Sequence, residues 1–414
     1  MTILRSFKAI RPKNGYENKV AALPYDVLNS YEAKENVVKN PYSFLHIDKA
    51  EIDLPEYVDL YDRMVYEKAK DNLENMIKKE IFIKEDKKCL YIYKIQMGEV
   101  IQTGIVGCVS VDDYLNNVIK KHEKTREEKE IDRTNHVAIV KAHTGPIFLT
   151  YKYNNFIDNM MKECEKNEPL YNFQAEDKVK HTIWKIDEED LTYRICKEFE
   201  NVPEVYIADG HHRAASAVNV ALNKRKELKN YTGEEEFNFF LAVLFPHDSL
   251  KVMDYNRVLK DTLNYSGKEL IEKIKEKFHV NLYKENKPYK PEKKHYFGMY
   301  INNKWYELKA REGTFDKEDI VGSLDVSILQ NNLLYPILKI QDPRKDNRID
   351  FVGGIRGLKE LEKIIDAQGK GVAFSMYPTS VEELMGIADE GEVMPPKSTW
   401  FEPKLRSGLF IHEF

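Results

Sequence analysis

Asp209, Gly210, His211, His212 and Arg213 follow one another directly after a short apolar run, Glu204-Val-Tyr-Ile-Ala208, and directly before a stretch rich in alanine, Ala214 to Leu222. A buried strand, a tight turn and a helix entry are the reading of that pattern. Free backbone N–H groups then gather at the positive end of a helix dipole, a geometry that attracts anions. Gly210 lets backbone approach an anion with no Cβ in the way. Arg213 can fork onto phosphate oxygens, and the two histidines add imidazole donors. Asp209 can hold Mg²⁺ or orient a histidine. The same letters also fit an N-cap aspartate followed by two surface histidines. A P-loop is excluded, because the GxxxxGK[ST] pattern is missing.

Two other stretches carry usable groups. Lys121-His122-Glu123 opens a charged run, KKHEKTREEKEIDR over 120–133. Such a run ordinarily forms the solvated face of a helix, so Glu123 stands out only once a partner is found for it. Near the C-terminus, Pro395-Pro396-Lys397-Ser398-Thr399 groups a cation with two hydroxyls. Asp26, within the apolar Pro24-Tyr25-Asp26-Val27, is either a turn cap or a further acid for the site. Gly353-Gly354-Ile355-Arg356-Gly357 is read as a glycine-rich helix entry, and the alternating charges from Asp342 to Asp350 as surface ion pairs.

The elements that must position these groups read as an α/β (mixed α+β) chain. β-Formers over 89–111 with Gly98 at the turn predict a hairpin. Apolar residues three and four apart predict a helix over 56–79. Strands are expected at 6–10, 146–151, 204–208, 237–245 and 371–376, and helices at 155–166, 214–228, 325–335, 356–367 and 381–389. The polar, proline-containing stretch 280–294 predicts a boundary, giving domains 1–280 and 281–414.

The three motifs together resemble, in order, those of the free L-serine kinases of the ParB/sulfiredoxin-like fold: the His-Glu step at His122-Glu123, the loop Asp209 to Arg213, and the Pro-Lys-Ser-Thr segment at 396–399. The YDVL, KHEKT, DGHHR and MPPKSTWFEPKLRSGL signatures also resemble those of a bacterial family of about this length. The resemblance implies a ParB-like nucleotide domain with a smaller α/β domain. It implies phosphotransfer from ATP or ADP with Mg²⁺ to a small hydroxyl substrate, L-serine, giving O-phosphoserine. In that scheme Glu123 is the base, Asp209 is catalytic and the Mg²⁺ ligand, and Gly210, His211, His212 and Arg213 hold nucleotide. Lys397, Ser398 and Thr399 orient the acceptor. The chain departs from those kinases in a long spacer, read as an insertion at 126–203, and in Trp400-Phe401 at the place of a basic pair, where Lys404 or Arg406 would supply the cation for a carboxylate. A nucleotide-hydrolysing switch that acts through a partner is the alternative. A sulfiredoxin-like reductase ranks last, since no cysteine lies in the loop.

The bulk composition narrows the field. Of 414 residues, 64 are Lys or Arg and 69 Asp or Glu, a net charge of −5 that disfavours nucleic acid as the main partner. Cys89, Cys108, Cys164 and Cys196 show no CxxC spacing and are expected as buried thiols. The first residues contain no apolar core of a signal peptide, and the longest apolar run, 237–245, is too short for a bilayer. A soluble cytoplasmic protein is expected.

Overall fold

A computed structural model describes residues 1–228 and 230–414. The chain is mixed α/β and divides into two units, Met1–Leu250 with Pro403–Phe414, and Lys251–Glu402. The break falls well before 280. The 280–294 stretch joins two strands inside the second unit, so its prolines and lysines mark a loop and not a boundary.

The first unit is built on a nine-stranded sheet. Its strands are β1 (Leu4–Arg5), β2 (Leu90–Met97), β3 (Val100–Ser110), β4 (Ile119–Lys120), β5 (Ile147–Tyr151), β6 (Tyr171–Gln174), β7 (Lys180–Ile186), β8 (Val205–Asp209) and β9 (Phe239–Pro246). Their order is β4-β8-β5-β9-β3-β2-β7-β6, with β1 on β3. The β4–β8 and β5–β9 pairs are parallel and the others antiparallel. Residues 126–203, read as an insertion, are built into this sheet. They supply β5, which sits between β8 and β9, and the β6–β7 edge.

Five helices matter to this unit: α1 (Arg63–Lys78), α2 (Glu127–Val140), α3 (Asn155–Cys164), α4 (Glu189–Phe199) and α5 (His211–Glu227). The apolar faces of α3, α4 and α5 share a core with β3, β5 and β9, through Ile157, Met161, Ile195, Phe199, Val218 and Leu244. On α5 several buried positions are small, Ala214, Ala217 and Ala221 among them, which lets the helix axis lie close to the strands. In β3, Gly107 is required for the same reason. A Cβ there would stand 2.6 Å from Leu4 and 2.8 Å from Leu90.

Chain ends commonly fray, which would leave 403–414 outside the core. Here that segment is interior. Leu405, Leu409, Phe410 and Ile411 are all buried. Phe410 packs on Tyr91 and Tyr93, and Ile411 exchanges backbone hydrogen bonds with Ile10.

The second unit carries an antiparallel six-stranded sheet of β10 (Tyr255–Leu259), β11 (Phe278–Leu282), β12 (Tyr296–Ile301), β13 (Lys304–Ala310), β14 (Ile349–Gly353) and β15 (Val372–Ser375), in the order β11-β13-β12-β15-β10-β14. Helix α6 (Lys359–Gln368) covers one face with Leu361 and Ile365. Helix α7 (Val381–Asp389) starts at a capping box formed by Ser380 and Glu383. Arg344–Asp342 and Arg348–Asp346 form the expected surface ion pairs.

Candidate functional site

Strand β8 delivers the loop, and a slip in its ladder aims it. Its pairing with β5 shifts register between Ile207 and Asp209. A bulge of this kind re-aims the side chain that follows. Gly210 then adopts φ +95°, a left-handed conformation open to glycine at little cost. Helix α5 begins at His211, three residues earlier than the alanine run alone predicts. Its first-turn N–H groups have no carbonyl one turn back.

Asp209 is held between cations. Its carboxylate lies 3.4 Å from the Lys404 ammonium and 3.7 Å from the Arg213 guanidinium. Burial alone would push its pKa up, but Lys404, Arg213 and a hydrogen bond from the Gly210 N–H outweigh that and hold it below the usual carboxylate range. A carboxylate so paired is a poor metal ligand, and the expected Mg²⁺ role does not suit its surroundings. It fixes the two cations instead.

Arg213 donates from Nη1 to the Pro146 carbonyl at 2.6 Å. Its buried Nε has no protein partner. It borders a cavity of about 30 Å³ that Tyr25, Asp48, Arg133, His136 and Thr144 also line, room for a water molecule to satisfy that nitrogen. Arg133 was expected on a solvated face. It is largely covered, its guanidinium 2.9 Å from Asp132 and 4.3 Å over the Tyr25 ring. The end of the charged run, Asp132-Arg133, turns inward because its charges are paired there.

Strand β4 brings in the His-Glu step. Because Ile119–Lys120 runs parallel to Val205–Tyr206, residues 122–123 leave the sheet at the same end as Asp209 and Gly210. The His122 and His211 rings meet edge to face at 4.5 Å, and Glu123 lies 3.7 Å from Nδ1 of His211. Both histidines are buried, while Glu123 is half-exposed. Burial lowers the pKa of His122 to about 4, with the Asp209 charge opposing. Burial also drives that of His211 well below its ordinary value, helped by the neighbouring His122, His212 and Lys121. Both imidazoles are neutral at pH 7. His212 turns the other way and accepts a hydrogen bond on Nε2 from the Arg126 N–H at 3.0 Å, ahead of α2. It braces α2 against α5, so that nitrogen is not a donor to phosphate.

The other expected site residues have surroundings of their own. Arg406 is buried and bonded to Asp177 and His181. It is engaged as a structural charge, and of the two expected cations it is Lys404 that reaches the loop. Asp26 is exposed in a turn, the blander of its two readings. Lys397, Ser398 and Thr399 belong to the second unit. Lys397 takes φ +59°, its carbonyl accepts from Arg257 at 3.0 Å, and its ammonium stands 5.5 Å from the Tyr255 ring centre. Ser398 donates to the Pro395 carbonyl at 2.6 Å. Gly353 packs under the Trp400 ring, which accounts for the glycine there. Arg257, buried with carbonyls as partners, was not singled out by sequence. Nothing in the run YNRVL distinguishes it from an ordinary strand residue.

Residues 4–327 match a family model described as a protein of unknown function, DUF1015. The chain belongs to the DUF1015 family. No curated protein matches it. Among solved structures, a variant of a free serine kinase in complex with ADP is similar at 16% identity and a TM-score of 0.36, over 74% of this chain and 92% of that one. A conserved hypothetical protein from Pyrococcus furiosus is similar at 16% and 0.35, over 74% and 94%. SbnI with a C-terminal truncation, from Staphylococcus aureus, is similar at 11% and 0.37, over 74% and 87%. In this DUF1015 member the region matched by the family model takes in Glu123 and the whole loop 209–213. It ends before Lys397. Among the described residues no helix is long and apolar enough to cross a membrane, and the four cysteines form no disulfide.

Proposed function

We propose that the first unit binds a nucleotide, ATP or ADP with Mg²⁺, at Gly210–Arg213 and transfers a phosphoryl group to a small hydroxyl substrate, free L-serine being the leading candidate. One observation carries the reading. A half-exposed carboxylate, Glu123, converges with two neutral imidazoles at a glycine-initiated helix N-terminus flanked by Arg213 and Lys404. Phosphoryl transfer needs phosphates held, charge neutralised and a hydroxyl relieved of its proton. The helix N-terminus with Arg213 serves the first, Lys404 and Arg213 the second, and Glu123 the third. Mg²⁺ bound with the nucleotide would share the phosphate charge. Lys397, Ser398 and Thr399 are proposed to orient the acceptor, and Lys404 to supply the cation that its carboxylate needs.

The test is incubation of the full chain with ATP or ADP and a pool of hydroxyl metabolites, with mass spectrometry of the products. Turnover dependent on an acceptor is expected. Glu123→Gln should lower kcat by about 10²–10⁴-fold, the range of a general base, and leave nucleotide affinity unchanged. Nucleotide hydrolysis with no acceptor-dependent product would overturn the kinase reading in favour of a nucleotide switch.

A further inference from the structure

We infer that His122, Glu123 and His211 form a binding site for a divalent transition-metal ion, distinct in chemistry from any Mg²⁺ that travels with a nucleotide. One donor atom from each of the three residues lies within 4.8 Å of the others, and the His211–Glu123 pair already stands at 3.7 Å. Around an ion with metal–ligand distances of about 2.0–2.2 Å, donors sit roughly 3–3.5 Å apart. Glu123 is half-exposed and can close the difference by a change of rotamer.

A second, independent observation points the same way. Nδ1 of His122 and Nε2 of His211 are buried and have no hydrogen-bond partner. Buried polar atoms are nearly always satisfied, and the orphaned Nδ1 of His122, beside the His211 ring, is a lone pair a metal ion would use; on His211 the nitrogen that faces Glu123 is Nδ1, and the unpartnered Nε2 is on the other side of the ring. The residue types decide which ion. Two imidazoles and one carboxylate suit Mn²⁺, Fe²⁺, Co²⁺ or Zn²⁺, whereas Mg²⁺ prefers oxygen donors alone. Three protein ligands leave positions for water or substrate, the pattern of a reactive site and not of a closed structural one. Glu123 has two oxygens, so one can serve the ion while the other faces an acceptor.

The inference does not rest on phosphotransfer, and its test uses neither nucleotide nor acceptor. The full chain, stripped with a chelator, is titrated with Co²⁺ followed by visible absorption, with Mn²⁺ followed by electron paramagnetic resonance, and with Mg²⁺ by calorimetry. One Co²⁺ per chain, with weak d–d bands and affinity at least a hundredfold above that for Mg²⁺, is the expected result. Glu123→Gln and His211→Asn should each weaken Co²⁺ and Mn²⁺ at least by the roughly 10–100-fold that loss of a supporting group costs a metal site. Should the histidine variant fail to fold, as circular dichroism would show, the Glu123 variant decides alone. The absence of saturable binding, an intense thiolate charge-transfer band, equal affinity for Mg²⁺, or unchanged affinity in Glu123→Gln would each overturn the assignment.

Discussion

Replacing Lys404 by methionine keeps most of the apolar stem and removes the charge beside Asp209. The pair is 3.4 Å apart, with 14% of the Lys404 side chain and 30% of the Asp209 side chain exposed. At an effective dielectric of about 20 the lost attraction is about 5 kcal/mol. Two effects reduce it. The ammonium no longer has to be desolvated, and Arg213, 3.7 Å away, still faces the carboxylate. A net loss of about 1–2 kcal/mol remains, below the 3–5 kcal/mol seen when a fully buried pair is broken. For a unit of this size that lowers Tm by about 2–8 °C.

The loss should also depend on pH, with a fixed sign. In the wild type Asp209 has its pKa held down in the folded state, so its contribution is present above the unfolded value of about 3.9 and lost as pH falls through the folded value. In the variant, burial is opposed by one cation fewer and the folded pKa rises. The deficit is then full at pH 7 and shrinks as pH falls and the variant's Asp209 protonates. Urea denaturation of both proteins at pH 7 and pH 4.5 measures it. A deficit of the same size at both pH values, or none at pH 7, would show that Lys404 and Asp209 are not coupled as described.

Arg213→Ala should weaken Mg-nucleotide binding by about 1.5–3 kcal/mol, the range for a charged hydrogen bond, read by calorimetry; unchanged affinity would remove the loop from the nucleotide site. Gly408→Ala should cost about 2–5 kcal/mol of stability, because φ there is +85° and a Cβ would lie 2.6 Å from Phe44; a denaturation midpoint equal to wild type would contradict the packing of the tail. Thr399→Val should raise the acceptor KM by about 2–10-fold, the worth of a neutral hydrogen bond, with nucleotide Kd unaltered; an unchanged KM would take the residue out of acceptor binding. A point substitution is the right probe there, since removing the C-terminal segment would also remove Phe410 and Ile411 from the first unit's core.

Where local chemistry decides the structure, the sequence was legible. The 89–111 hairpin follows from its β-formers and Gly98 at φ +60°, and the helix expected over 381–389 is α7. The loop 209–213 was recognisable because a glycine between an apolar run and an alanine run leaves little else to build. What escaped depends on distant partners. Arg133 and Asp132 look solvated in a run of charges, and only Tyr25, Tyr66 and Asp48 make them interior. Strand β6 alternates buried and exposed residues at the sheet edge, and β7 is covered only by its neighbours on both sides; both read as spacer. The ion pair of Asp209 with Lys404 escaped because its partner is 195 residues away.

That distance has a consequence for how the molecule is made. The first unit contains the residues of a chain's beginning and of its last twelve, with 152 residues of the second unit between them. Its sheet emerges from the ribosome early, but Leu409, Phe410 and Ile411, each fully buried, follow only after about 160 further residues. At roughly 5–20 residues per second that is a delay of about 8–30 s. Over this interval Tyr91, Tyr93 and Phe44 lack their cover, and Asp209 stands without Lys404. The first unit thus leaves part of its core uncovered until residues 403–414 have been made, and the loop 209–213 meets Lys404 among the last events of that unit's folding.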